Sequence, residues 1–88
     1  STIFNAIGCR VEVEKMIATG RIDMVVETIH IIYVLELKLS NNGGIDAAAE
    51  QIRSRQYAEP FKADKRRVVA LAIELDDKGK GLIDWKEV

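Results

Sequence analysis

Three residues in the first half of the chain have the chemistry of a reaction centre. Asp23 is followed after twelve residues by Glu36, and Lys38 stands two positions further on. Two carboxylates brought together repel each other, and a divalent cation between them reverses that sign. An all-oxygen pair of this kind suits Mg²⁺ or Mn²⁺, which keep several waters of their own. A cation held there could activate water and neutralise charge on a phosphodiester. An amine alongside could orient the attacking water or stabilise the negative charge that develops. The set needs Asp23, Glu36 and Lys38 to converge, and that depends on the strands that carry them.

Ile31 to Leu39 reads as a strand. Side chains alternate faces along it, so Ile31, Tyr33, Leu35, Leu37 and Leu39 share one face. The other face begins with Ile32 and Val34 and then changes to Glu36 and Lys38. The apolar run predicts burial on both sides, so two charges emerging at its end need a partner, a metal or water. Arg21 to Thr28 reads as the preceding strand. If Ile29-His30 is the turn of an antiparallel hairpin, Asp23 falls directly opposite Glu36, with Cβ atoms about 5 Å apart. The turn lacks the Gly or Asn that tight hairpins favour, and a slip of one residue would separate the pair.

Around this hairpin, Thr2 to Ile7 reads as the last turns of a helix stopped by Gly8. Cys9 to Ile17 alternates Val11 and Val13 against Glu12 and Glu14, the pattern of a half-buried strand. Ser40 to Gly44 is a loop by composition. Ile45 to about Ala58 is a helix whose apolar side is Ile45, Ala48, Ala49 and Ile52, ended by Pro60. Arg67 to Leu75 is nearly continuously apolar, as in a strand covered on both faces. Asp76-Asp77-Lys78-Gly79 is a turn, and Leu82 to Val88 an edge strand with Trp85 packing back on the sheet. The expected fold is α/β (α+β): a mixed sheet of four to five strands in the order α-β-β-β-α-β, with a parallel crossover through the helix.

The strings Gly20-Arg21-Ile22-Asp23 and Leu35-Glu36-Leu37-Lys38 resemble the PD-(D/E)XK nuclease superfamily. The later strings Ala48-Ala49-Glu50-Gln51-Ile52, Tyr57-Ala58-Glu59-Pro60 and Ile83-Asp84-Trp85-Lys86 are similar to a narrower prokaryotic branch, found C-terminal to AAA-type ATPase-like domains. The resemblance covers nearly the whole chain and implies a restriction-endonuclease-like core. It makes Asp23 and Glu36 the metal ligands and Lys38 the catalytic lysine. It also assigns Gln51 and Tyr57 to a helix motif lining the site, and Glu14 to an acidic position ending the first strand. An acidic residue on the first helix assists metal binding in many members; the stub Thr2 to Ile7 has none.

Composition bounds the rest. The chain has 88 residues, so it is one domain, 1–88, and it is 48% hydrophobic, too apolar for disorder. No apolar run approaches the roughly 20 residues of a membrane span. Net charge is −1, so nucleic acid, DNA foremost, would be met by a local patch rather than a global field. Arg53, Arg55, Lys65 and Arg66, with Lys62 and Arg67, supply either such a patch or a solvated face. One cysteine, Cys9, fits a buried thiol and a reducing, cytoplasmic setting. Glu27 reads as a solvated strand end and His30 as a loop residue. The start at Ser1 suggests a piece of a longer protein. Three functions fit: a metal-dependent nuclease, a non-catalytic nucleic-acid- or protein-binding module beside an ATPase-like domain, or an association domain forming homodimers through a strand edge.

Overall fold

The β-branched and aromatic residues of this chain fall in short runs, and the structure makes strands of nearly all of them. It is a computed structural model that describes the backbone at residues 2–4 and 8–88, and side chains from residue 8 onward. The strands are β1 (Thr2–Phe4), β2 (Arg10–Ile17), β3 (Gly20–Glu27), β4 (Ile31–Leu39), β5 (Arg67–Leu75) and β6 (Leu82–Glu87), and helix α1 (Gly44–Ser54) joins β4 to β5. They form one six-stranded sheet in sequence order. Only β4 and β5 are parallel; every other neighbouring pair is antiparallel. The mixed sheet with one crossover helix is the α+β architecture expected of a restriction-endonuclease-like core. The N-terminal helix is not: Thr2–Phe4 adds to the edge of β2 as a strand, which suits Thr, Ile and Phe better than a helix end. Residues 5–7 of that expectation lie outside the described residues.

Helix α1 lies on one face of the sheet, over β4 and β5. Its inner side is Ala48, Ala49 and Ile52, set against Val34, Ala70 and Ala72, with Ile22, Val25, Ile32 and Tyr57 completing the core. Methyl groups on both sides of this contact let helix and sheet approach closely. The opposite face differs from expectation. Tyr33, Leu35 and Leu37 on β4 and Leu71 and Ile73 on β5 are only half-buried, because α1 is the only helix longer than one turn among the described residues and it covers the other side. Trp85, paired with Ile73 on edge strand β6, is 59% exposed rather than packed back.

The helix also ends earlier than Pro60 would dictate. Gln56 takes φ +52, its N–H bonds the Arg53 carbonyl at 3.2 Å, and the Tyr57 N–H bonds the Ile52 carbonyl at 3.1 Å. This is a Schellman ending with glutamine at the left-handed position usually given to glycine. It reverses the chain so that Tyr57 falls back on the core with 0% exposure. A left-handed glutamine costs backbone energy that glycine avoids. Gln56→Gly is therefore expected to stabilise the domain by roughly 0.5–1 kcal/mol in denaturant unfolding. A loss of stability instead would mean that the glutamine side chain, not the cap geometry, holds this corner.

Candidate metal centre

The β3–β4 hairpin places the first two acidic groups. Its register runs from Glu27↔Ile32 to Met24↔Leu35, which is the register that a turn at Ile29-His30 requires. Threonine replaces the missing glycine. Thr28 N–H donates to the Ile31 carbonyl at 2.8 Å, and Ile31 N–H donates to the Thr28 hydroxyl at 3.0 Å. The Thr28 carbonyl is taken by an Arg66 guanidinium N–H at 3.0 Å. At the other end the ladder stops at Met24, and Asp23 continues it with its side chain: Oδ2 accepts the Leu37 N–H at 2.9 Å. That bond holds the Asp23 carboxylate against the backbone between Glu36 and Lys38.

Glu36 points beneath α1 and is 2% exposed. Its Oε1 has no hydrogen-bond partner. Burial raises its pKa to about 7, the neighbouring Asp23 carboxylate adds to the rise, and Lys38 opposes it. Lys38 makes no ion pair among the described residues. Its register partner across β5 is Glu74, yet that carboxylate faces the helix start instead. Glu74 accepts the Ser40 hydroxyl at 2.5 Å and the Ile45 N–H at 2.9 Å, and these bonds hold its pKa below the usual carboxylate range. A carboxylate at a helix N-terminus is favourable, so the dipole of α1 occupies the anion that would otherwise quench Lys38. Sequence reading missed Glu74; its position next to the last residue of an apolar strand gave no sign of a helix partner.

Asp23, Glu36 and Lys38 line one cavity of about 370 Å³ together with Gln51, Tyr57 and Arg55. Gln51 Nε2 donates to the Tyr57 hydroxyl at 3.0 Å. A Cβ at Gly20 would lie 3.0 Å from that hydroxyl and 2.9 Å from an Arg55 guanidinium nitrogen, so a side chain here would displace the tips of Tyr57 and Arg55. Glu14 stands beside Asp23 in the sheet, in a gap between the pairs Val13↔Met24 and Lys15↔Ile22, with φ +54. It is exposed and is not among the cavity's lining residues. The gap shifts the phase of β3, since Ile22 and Val25, three apart, both enter the core.

The basic residues divide. Arg53 lines a separate cavity with Ile52 and Lys62. Lys65 and Arg66 sit by the start of β5, where Arg67 pairs with Ile31, roughly 17 Å along β4 from Glu36 at about 3.3 Å per residue. Arg66 is bonded to Asp64 and Glu27 at 2.8 Å each. Glu27, also 3.0 Å from Arg10, is thus a paired strand end rather than a solvated one. His30 is exposed in the hairpin turn and Cys9 half-buried.

The donor set fits a hard cation with a large share of water ligands. Among the described residues no group of three or more His, Cys, Asp or Glu converges, whereas Mg²⁺ is commonly held by one or two carboxylates. The unbonded Glu36 Oε1 beside Asp23 is the oxygen such an ion would take. The family model of the PD-(D/E)XK nuclease superfamily matches residues 2–85. The chain belongs to the PD-(D/E)XK nuclease superfamily. No curated protein and no solved structure matches the chain.

The raised pKa of Glu36 has a measurable sign. Below about pH 4.5 the carboxyl is protonated in both folded and unfolded chains. Above it the unfolded chain releases the proton, while the folded one keeps it to about pH 7. Metal-free protein should therefore lose stability as pH rises from about 4.5 through 7, by up to a few kcal/mol. Glu36→Gln should remove that slope in pH-dependent melting; an unchanged slope would place the ionisation elsewhere.

Proposed function

We propose that this domain is a metal-dependent nuclease hydrolysing phosphodiester bonds of nucleic acid, DNA in the first instance. Asp23 and Glu36 hold Mg²⁺ or Mn²⁺, and Lys38 assists the attacking water. The observation that carries the reading is the buried, unbonded Oε1 of Glu36, adjacent to a second carboxylate and an unpaired ammonium. A buried carboxylate oxygen without a partner is unfavourable and becomes favourable around a cation. Superfamily membership supports the same reaction class.

The side chains divide the work by position. Asp23, fixed through the Leu37 N–H, lines the cavity with its carboxylate. Glu36, once its proton leaves, adds a second negative ligand. A bound divalent cation supplies charge against the phosphate and acidifies water. Lys38 donates to that water or to a phosphoryl oxygen as negative charge grows there. Gln51, which gives one amide N–H to the Tyr57 hydroxyl, keeps its amide oxygen to accept from water in the cavity. Attachment to an ATPase-like domain is the narrower setting suggested by the Gln51, Tyr57-to-Pro60 and Trp85 strings.

A non-catalytic binding module is the second reading, favoured by a net charge of −1 and only two carboxylates in the site. One assay separates the two. With Mg²⁺ or Mn²⁺ the wild-type protein should cleave DNA, and Asp23→Ala and Lys38→Ala should each cut the rate at least about a hundredfold. The metal should also raise the melting temperature of wild type but not of Glu36→Gln. DNA bound without turnover would favour the second reading, and full cleavage by either alanine variant would falsify the assigned roles.

A further inference from the structure

The six arginines of the chain fall into two classes. Arg10, Arg66 and Arg67 are each within 4 Å of a carboxylate: Arg10 of Glu12 and Glu27, Arg66 of Glu27 and Asp64, Arg67 of Glu87. Arg21, Arg53 and Arg55 have no carboxylate partner among the described residues. Two of these three, Arg21 and Arg55, line the same cavity as Asp23 and Glu36, while Arg53 lines the other cavity.

Arg55 is held without being neutralised. One guanidinium nitrogen donates to the Thr19 carbonyl at 3.0 Å, and the Thr19 hydroxyl donates back to the Arg55 carbonyl at 2.6 Å. The reciprocal pair ties the end of α1 to the β2–β3 turn and lays the guanidinium over Gly20, whose lack of a Cβ makes the room. A neutral carbonyl partner fixes the group's direction and leaves its full charge. Arg21, next to Gly20 in the chain, brings a second guanidinium to the same wall, and it has no hydrogen-bond or ion-pair partner of its own among the described residues.

We propose that Arg21 and Arg55 form a phosphate clamp at the mouth of the cavity. It takes a backbone phosphate of the nucleic acid beside the one at the carboxylates, so that the strand lies across Gly20. Guanidinium forks match phosphate oxygens in pairs, and two unneutralised forks on one rim offset the negative charge that Asp23 and Glu36 present to a polyanion. The clamp rests on the nuclease reading for its choice of ligand, but its test does not require turnover. It binds a phosphate that does not react, so it holds ground state and transition state alike.

The test is salt-titrated binding of a fluorescein-labelled single-stranded DNA in metal-free buffer, followed by anisotropy. Arg21→Gln and Arg55→Gln should each weaken binding several-fold and reduce the slope of log affinity against log salt by about 0.7, the share of one phosphate contact on a single strand. Arg53→Gln should change neither. Arg55→Lys, with its melting curve, guards against loss of the Thr19 tie; a folded Arg55→Lys should recover most of the slope. Unaltered slopes in the Arg21 and Arg55 variants overturn the clamp, as does an equal loss in Arg53→Gln, which would indicate a diffuse field. With Mg²⁺ present, Arg21→Gln should raise KM and leave kcat near wild type. If no cleavage occurs but the slopes change as stated, the clamp stands and the nuclease reading fails. If cleavage persists with KM and slopes unmoved, only the clamp fails.

Discussion

Glu36 combines near-complete burial with an unbonded oxygen, and much of the domain's construction bears on that one group. The close contact of Ala48 and Ala49 with β4 and β5 removes water from the strand just where its inner face changes from Val34 to Glu36. The same strand register that aligns the apolar pairs Val25↔Val34 and Met24↔Leu35 brings Asp23 alongside. Two acids and one lysine then line one cavity, and for Glu36 burial together with Asp23's repulsion outweighs the lysine's attraction, as the direction of its shift shows. On the proposed reading, a divalent ion between the two carboxylates would turn their mutual repulsion into attraction.

Elsewhere the chain treats its charges differently. Glu27 is shared by two arginines, Asp64 is tied to Arg66, and Glu74 caps the start of α1. These pairs brace the frame: Arg66 ties the hairpin turn to the start of β5, and Glu74 ties the end of β5 to the helix. The groups around the cavity are left unpaired by comparison. Glu74 matters most in this division, because it stands in register with Lys38 and would be its natural counter-ion. The unsatisfied amides at the start of α1 claim it instead.

The parts of this arrangement that sequence reading reached are those carried by local patterns. β4 and β5 were bounded to the residue, since each is a long, mainly apolar run flanked by polar turn residues. The hairpin register followed from placing the turn at Ile29-His30, even though that turn has no glycine; the Thr28 hydroxyl and Arg66, which hold it, belong to tertiary structure. Patterns also misled. Pro60 is a strong stop signal, but the left-handed Gln56 ends α1 first. Continuous hydrophobicity in β4 and β5 implied two covering layers where one is found. The short run at Thr2–Phe4 is too brief for periodicity to tell strand from helix. Glu74 and the Thr19–Arg55 tie had no sequence signature, because their partners lie 29 to 36 positions away; Arg21 belonged to the Gly20-to-Asp23 string, but the cavity it lines exists only after folding.

The helix that buries Glu36 also frames the cavity above it. Its N-terminus is fixed to β5 through Ile45 N–H and Glu74. Its C-terminus is fixed to the β2–β3 turn through Thr19 and Arg55, and through Tyr57 lying against Gly20. Strand β4, with Glu36 and Lys38, lies between these two attachments in the sheet. Movement of α1 away from the sheet would thus wet Glu36, release Glu74 toward Lys38 and withdraw Gln51 and Tyr57 together. The carboxylate's ionisation, the lysine's freedom and the shape of the cavity are therefore not independent properties. They are three consequences of one helix held at both ends, which makes the seating of α1, rather than any single side chain, what decides whether the site is assembled.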